Sequence, residues 1–326
     1  MANLSAKYLG LSLKNPLIAG SSGMTGTLQK VVKMEHSGVG AVVLKSLFEE
    51  QIFQEANSLI DSRSSYSSEA SDYLHSYIRS SSTQEYLQFI ADCKKTVSIP
   101  VIASINCVST SAWINLAREI ENAGADAVEI NVYYLPDNKM PSAFYEKMYL
   151  DIAVKLKKAL KIPFAFKLGS NFTNLIYLVD QLYRRGVSGV VLFNRFYEPD
   201  FDIRTLDIKA SDPFSSPGDM GSSLRWVSLT TSQVPNIDVA ASNGIHSGWD
   251  VIKQILAGAT ATQVSSALYK NGTEHVYRML GEIYEWMGKN GFETLDEFRG
   301  LVRDRDKDNM RSMHRLQYMK YIADKQ

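Results

Sequence analysis

Short runs of consecutive apolar residues alternate along this chain with longer stretches in which apolar positions recur every three or four residues. The short runs, such as AVVLK, PFAFKL and GVVLF, lack a polar residue at every second position. Such runs are typical of parallel strands that are buried on both faces. They predict eight strands, at residues 16–20, 40–45, 100–105, 127–132, 163–168, 189–193, 238–241 and 261–264.

The stretches between these strands are predicted to be helices. In residues 110–122, the spacing of Ile114, Ala117 and Ile120 places three apolar side chains on one helical face. Residues 142–160 and 171–185 have the same kind of pattern. A glycine can end a helix with a positive φ at no steric cost, and glycines follow several of these stretches, at Gly38, Gly124, Gly186 and Gly258.

Eight strands that alternate with helices predict an α/β protein, a (β/α)₈ TIM barrel with long strand-end insertions. A doubly wound open sheet is the competing architecture, but no GxGxxG motif follows the first strand. We expect residues 1–326 to form a single TIM-barrel domain with a C-terminal helical extension. Residues 291–299 are predicted to form a turn and a short helix that closes the end of the barrel.

Two long segments interrupt the alternation. Residues 57–83 are rich in Ser and Tyr, and residues 195–223 carry several Asp, Pro and Gly. Insertions of this length after barrel strands are typical of lids and substrate loops. A plain surface excursion or a dimer contact is the alternative for both.

The charge balance limits the classes of partner. Lys+Arg and Asp+Glu both number 35, so no net charge favours binding to nucleic acid or to an anionic membrane. The chain has two cysteines, Cys93 and Cys107, without metal-ligand spacing, so we expect no metal site and no disulfide. No apolar run reaches the length of a membrane span, which predicts a cytoplasmic protein. Residues 299–315 are basic with interleaved acids, as on a solvated helical face.

Polar residues collect where the predicted strands end. In a TIM barrel the chemistry lies at the carboxyl ends of the strands. Two lysines, Lys45 and Lys167, stand there with the amides Asn106, Asn131 and Asn194. Each lysine alone could form a structural salt bridge, whereas both together favour a ligand site, because a buried lysine is rare unless an anion or acceptor accompanies it.

The last two strand ends carry small residues. Ser242-Asn243-Gly244 follows the seventh strand, and Ser265-Ser266 follows the eighth. Many barrels bind phosphate at this place through backbone N–H groups, and small residues allow the backbone to approach the anion closely. Ordinary Gly/Ser turns are the alternative.

In their order, the segments NPLIAGSSG, AVVLKS, AVEINV, FAFKL, VVLFN and AASNGIHSGWDVIKQILAGATATQVSSAL resemble the dihydroorotate dehydrogenases, most closely the soluble class I enzymes. The resemblance extends from residue 15 to about residue 297. It implies FMN at the barrel mouth. The isoalloxazine ring would lie against Ala19, Gly20 and Ser21 and near Lys45, Lys167, Asn131, Asn194 and Gly221, and the phosphate would lie at Asn243, Gly244, Ser265 and Ser266.

The resemblance fails at the substrate side. The family's catalytic Cys is replaced by Tyr134, and an Asn shortly after it is replaced by Pro136. A phenol with a pKa of about 10 is a poor base at neutral pH unless the site lowers that value. The family's Asn-rich and Gly-rich lid motif is replaced by the Ser/Tyr-rich residues 57–83.

The resemblance implies an FMN-dependent oxidoreductase acting on CH–CH bonds. It would oxidise dihydroorotate to orotate, or a related pyrimidine-like substrate, and pass electrons to a soluble acceptor such as fumarate. Tyr134, or Tyr133, would be the acid/base, with Lys45 and Asn131 beside it. The resemblance also implies a homodimer. Two alternatives stay open: a flavin-binding protein without the family activity, and a Schiff-base lyase that uses Lys167.

Overall fold

The computed structural model describes residues 2–49, 68–106 and 110–305, and within them it confirms a (β/α)₈ barrel. The strands are β1 (Ala6–Tyr8), β2 (Leu11–Leu13), β3 (Leu17–Ala19), β4 (Ala41–Val43), β5 (Leu47–Phe48), β6 (Val101–Asn106), β7 (Ala127–Asn131), β8 (Phe164–Leu168), β9 (Gly189–Leu192), β10 (Pro199–Asp202), β11 (Asp207–Ala210), β12 (Asp238–Ser242) and β13 (Ala261–Val264).

The barrel closes through parallel pairing of eight strands. Their order around the ring is β4, β3, β13, β12, β9, β8, β7 and β6, and β6 pairs again with β4. Every residue of β3, β4, β7 and β8 is buried, because one face lies in the barrel interior and the other lies under the helices. The eight predicted strands are therefore confirmed, with ends that differ by at most two residues.

The helices surround the barrel. They are α1 (Leu28–His36), α2 (Ser68–Thr96), α3 (Thr110–Asn122), α4 (Ser142–Ala159), α5 (Leu175–Arg184), α6 (Met220–Gln233), α7 (Gly248–Leu256), α8 (Ser266–Asn271), α9 (His275–Asn290) and α10 (Leu301–Arg305). The helix predicted for residues 110–122 has those bounds. The one predicted for residues 171–185 starts later, because the Asn174 side chain accepts from the Tyr177 N–H at 3.1 Å and caps it. None of the described helices is both long and apolar enough to cross a membrane.

A hairpin that the sequence pattern did not predict closes the bottom of the barrel. β1 and β2 pair antiparallel, and the turn between them has Leu9 at φ 54° and Gly10 at φ 78°. The Leu9 N–H donates to Asp238 Oδ2 at 2.7 Å, and Asp238 is the first residue of β12. The hairpin therefore lies at the amino-terminal end of the barrel, opposite the end at which TIM barrels carry their active sites.

The two predicted insertions differ from each other. Residues 57–67 lie outside the described residues, while residues 68–83 belong to the long helix α2. Residues 195–223 contain the hairpin β10–β11, a short 3₁₀ turn and the start of α6. The hairpin is exposed, with Ile203 and Leu206 retaining 86% and 85% of their accessible surface.

The C-terminal part of the barrel ends in turns. Residues 291–299 form turns without the predicted short helix, and α10 follows them at Leu301–Arg305. Phe292 and Phe298 pack on Trp286 of α9, with ring centroids 5.4 Å and 4.9 Å from the indole. Cys93 is buried, while Cys107 and the basic residues beyond 305 lie outside the described part of the chain.

Candidate active site

A cleft opens at the carboxyl ends of the strands, and its cavity volume is about 220 Å³. That volume is somewhat below the range of roughly 300–1,000 Å³ that small-molecule sites usually have. Seven of the residues predicted to bind a cofactor line this cleft: Ser21, Lys167, Asn194, Asn243, Gly244, Ser265 and Ser266. We call it the cofactor cleft.

A buried cation and a buried carboxylate meet at its floor. Lys167 Nζ donates to Gln263 Oε1 at 2.9 Å, and Gln263 Nε2 donates to Glu129 Oε2 at 2.5 Å. Lys167 Nζ also lies 3.6 Å from Glu129 Oε1, which accepts no hydrogen bond from the described residues. The Glu129 side chain is 2% exposed, so its charge is stable there only because Lys167 accompanies it. Lys167 is therefore both a structural ion-pair partner and a lining residue of the cleft.

A second network joins the first, second and third barrel strands to the fourth. Asn131 Nδ2 donates to Ser104 Oγ at 2.7 Å and to Ser46 Oγ at 3.1 Å, and Ser46 Oγ lies 3.0 Å from Ser21 Oγ. Tyr86 of α2 donates its hydroxyl to the Ser104 carbonyl at 2.9 Å. Asn131 is 5% exposed. The network fixes the Asn131 amide and connects it to Ser21 at the edge of the cleft.

Two glycines stand where the backbone is crowded. A Cβ on Gly244 would lie 2.2 Å from the Met220 backbone N, and Gly244 has φ 71°. Asn243 before it has φ 81°, a left-handed conformation that Asn tolerates better than most residues. A Cβ on Gly20 would lie 2.7 Å from Ser265 Oγ. The turn after the seventh strand thus packs closely against the start of α6, and the turn after the first strand packs against the side chain of Ser265 after the eighth.

Ser215 holds a strap, residues 213–216, over the end of the cleft. Its N–H donates to Ser266 Oγ at 2.9 Å, its carbonyl accepts from Lys270 Nζ at 3.0 Å, and its hydroxyl lies 3.2 Å from His246 Nε2. Burial, and after it the Lys270 ammonium, lowers the pKa of His246, so this imidazole is neutral at pH 7. The strap covers the same strand ends that were predicted to bind phosphate.

Tyr134 lies in a different cavity, which we call the aromatic pocket. It is formed by the segment after β7, the start of α4 and the segments after β8 and β9, and its rings belong to Tyr133, Tyr134, Tyr145, Tyr149, Phe172 and Phe196. Burial raises the pKa of the Tyr134 phenol, so the site does not activate it as a base. Tyr133 packs against Phe196 with ring centroids 4.0 Å apart and an interplanar angle of 32°, and it also lines the depression that leads to Asn194. Tyr133 thus stands between the aromatic pocket and the cofactor cleft.

The other residues predicted to bind the cofactor do not line the cleft. Ala19 is fully buried at the end of β3, and the N–H of Gly20 donates to the Val264 carbonyl at 2.9 Å. The exposed side chain of Lys45 lines a separate cavity next to α2, together with Phe48 and Glu85. Gly221 is exposed in the first turn of α6, where an added Cβ would meet no atom within 4 Å, and it does not line the cleft.

Three residues of the site were not predicted from the sequence: Gln263, Ser215 and His246. Gln263 precedes Ser265 by two residues, and the period of two along a strand places both side chains on the same face. That signal was available in the segment ATQVSS. Ser215 and His246 have no comparable signal, because only the folded chain brings residues 31 positions apart into contact.

Comparison with known proteins identifies the family. The dihydroorotate dehydrogenase family model matches residues 3–287, so the chain belongs to that family. The catalytic subunit of dihydroorotate dehydrogenase B (NAD(+)) of Thermoplasma acidophilum is 24% identical over 93% of this chain and 99% of its own length. Dihydroorotate dehydrogenase A (fumarate) of Limosilactobacillus reuteri is 28% identical over 82% of this chain and 87% of its own.

Two further relatives extend the comparison. The chloroplastic dihydropyrimidine dehydrogenase (NADP(+)) of Arabidopsis thaliana is 25% identical over 91% of this chain and 76% of its own length. A solved structure of DHODH from Eimeria tenella, in complex with ferulenol, superimposes with a TM-score of 0.66 at 13% identity, covering 93% of this chain and 89% of that one. The last similarity supports the barrel fold alone.

Proposed function

We propose that this protein is an FMN-dependent oxidoreductase that acts on a CH–CH bond of dihydroorotate or of a related pyrimidine-like ring. The observation that carries the proposal is the arrangement of Lys167 at the floor of a cleft whose other end consists of close-packed small residues. A cation at one end and exposed turn backbone at the other match a ligand that has a polar ring and a phosphate.

The small-residue turns fit the phosphate. Asn243 and Gly244 have positive φ values, and Ser265 and Ser266 line the same end of the cleft. A turn of this kind can direct backbone N–H groups at an anion, and hydroxyl groups add donors. In the proposal, Ser266 binds phosphate while its hydroxyl also accepts from the Ser215 N–H, which ties the strap to the cofactor.

Lys167 fits the ring. FMN, when bound, would accept a hydride from the substrate and become negatively charged. A nearby ammonium stabilises such a charge and raises the tendency of the ring to accept electrons. Gln263 and Glu129 hold the Lys167 ammonium in a fixed position, so little reorganisation is needed when charge develops. Asn131 and Asn194 would supply the amide hydrogen bonds to substrate and cofactor, and Ala19, Gly20 and Ser21 would leave room for the ring.

Tyr134 is the proposed acid/base, and its raised pKa limits the pH at which it can act as a base. Because burial raises its pKa, the phenol is protonated at neutral pH and can donate a proton, whereas it accepts one only at strongly alkaline pH. Tyr133 is the second candidate, since it borders both the aromatic pocket and the depression that leads to Asn194. Lys45 would contribute near the substrate only after its side chain turns from its present cavity toward the cleft.

The test is a titration of the purified protein with FMN, followed by a steady-state assay of dihydroorotate oxidation with fumarate as the acceptor. Saturable FMN binding with turnover supports the proposal, while FMN binding without turnover supports a flavin-binding protein that lacks the family activity. The changes at Tyr134 and Pro136 favour that alternative. Absence of FMN binding contradicts the proposal. A homodimer in the cytoplasm is part of the proposal and is tested by light scattering and cell fractionation.

A further inference from the structure

The aromatic pocket is separate from the cofactor cleft and is comparable to it in size, with a cavity volume of about 260 Å³. None of the residues proposed to hold FMN lines it. The Tyr133 and Phe196 rings, tilted by 32°, form its boundary toward the depression that leads to Asn194. The pocket therefore shares Tyr133 and Tyr134 with the proposed reaction site, but none of its lining residues lines the cofactor cleft.

Aromatic rings provide most of its apolar surface. Tyr149 packs edge-on against Tyr134 and Phe172, with ring centroids 5.9 Å and 5.4 Å apart. The Tyr149 hydroxyl donates to the Val132 carbonyl at 3.2 Å, which fixes this ring at the base of the pocket. Tyr133 keeps 41% of its surface exposed. The faces of such rings carry partial negative charge and attract cations.

The charged side chains of the pocket are acidic. Asp137 and Glu146 line it, and no Lys, Arg or His is among its described lining residues. The Lys139 and Met140 N–H groups donate to Asp137 Oδ1 at 2.8 Å and 3.1 Å, and these bonds, the Lys139 one first, lower the pKa of this carboxyl. Asp137 is therefore ionised throughout the physiological pH range. Ring faces and carboxylates together favour a cation and repel an anion.

We propose that the aromatic pocket is a second ligand site, and that it binds a planar aromatic cation of about the size of a pyridinium ring. A flat ring is the shape that Tyr and Phe side chains stack on, and a positive charge is the charge that Asp137 and Glu146 complement. A dicarboxylate does not fit this site. The proposal does not depend on the binding of FMN, because the two cavities have different lining residues.

Three probes that share one aromatic ring test whether the pocket prefers a positive charge. 1-Methylnicotinamide is a cation, nicotinamide is neutral and nicotinate is an anion, so the ring is constant while the charge changes. Calorimetric titration of the full-length protein, without added FMN and again with saturating FMN, should rank their affinities in that order in both states. Equal or tighter binding of nicotinate, or no binding of any probe, overturns the proposal.

Two substitutions with matched controls locate the binding. Tyr133→Leu should raise the dissociation constant for the cation about tenfold, and Glu146→Gln should raise it about threefold. Tyr284→Leu changes a tyrosine of similar exposure, 43%, on the outer helix α9, and Glu119→Gln changes an exposed carboxylate on α3; neither should alter the affinity. An unchanged affinity in Tyr133→Leu, or an equal loss in Tyr284→Leu, would show that the cation binds elsewhere.

Discussion

The barrel mouth has two unlike sides. On the side of the seventh and eighth strands, the turns are mostly half-buried and made of small residues, and Gly244 packs against the backbone at the start of α6, as the 2.2 Å from a Gly244 Cβ to the Met220 N illustrates. On the side of the fourth and fifth strands, the loops are aromatic and partly exposed, with Tyr133 at 41%. In the proposed function the first side holds the cofactor, while the second carries Tyr134 where the family resemblance implies a catalytic Cys. If both assignments hold, this barrel has kept its cofactor side while its substrate side diverged.

The largest effect is expected where the two sides meet, at Lys167. Lys167→Met leaves the Glu129 carboxylate buried without a cation, and breaking such a pair costs on the order of 3–5 kcal/mol. We expect a lower urea midpoint for unfolding. The double variant Lys167→Met with Glu129→Gln removes both charges and should recover most of this loss. If the single variant is as stable as the natural protein, the ion pair has no structural role.

Tyr134 tests the substrate side alone. If its phenol transfers the proton, Tyr134→Phe should slow flavin reduction by substrate about 10²-fold or more, while FMN stays bound. Tyr177→Phe, on the outer surface of α5 with 55% exposure, is the control and should react normally. A loss in Tyr133→Phe but not in Tyr134→Phe would assign the role to Tyr133.

The pH dependence of oxidation sharpens this test. A base must be deprotonated, and burial raises the pKa of Tyr134 above that of a free phenol. Oxidation in stopped-flow measurements should therefore accelerate about tenfold per pH unit across the neutral and mildly alkaline range. A rate that is already constant near pH 7 would show that another group takes the proton.

Gly244 and Gly221 test the cofactor side. Gly244→Ala places a Cβ against the Met220 backbone at a positive φ, so we expect FMN to bind at least about tenfold more weakly. Gly221→Ala adds a Cβ in open space within a helix and should leave FMN affinity unchanged. Fluorescence titration with FMN measures both. Equal losses in the two variants would contradict the placement of the phosphate turn.

The smallest effect is expected at the strap. The pKa of His246 is lowered in the folded protein, so its contribution to stability is present above the pKa of the unfolded chain and is lost as pH falls through the lowered value. Lys270, His275 and Asp250 are the charged or titratable groups that act on this imidazole. FMN should dissociate a few times faster at pH 5 than at pH 7, and His246→Gln should abolish that difference. A pH dependence that persists in the variant would place the titrating group elsewhere.

The fold could be predicted from the sequence because buried parallel strands produce continuous apolar runs that are visible without a structure. β13 lies at its predicted residues, 261–264, and the hairpin β1–β2 was missed because its antiparallel strands are interrupted by exposed polar residues and form no continuous apolar run. The residues that line the cofactor cleft could also be predicted, because most of them lie at the carboxyl ends of strands that the sequence already locates. The direction of the Lys45 side chain and the contact of Ser215 with His246 could not be predicted, because both depend on long-range packing.

The most direct test of the proposed flavin chemistry is an anaerobic visible spectrum of the FMN-saturated protein, recorded before and after addition of dihydroorotate. We expect a bound flavin spectrum that bleaches, slowly at neutral pH and faster at alkaline pH. A protein that cannot be saturated with FMN would contradict the proposed cofactor site, because the cleft formed by Lys167, Gly244 and Ser265 would then hold a different ligand.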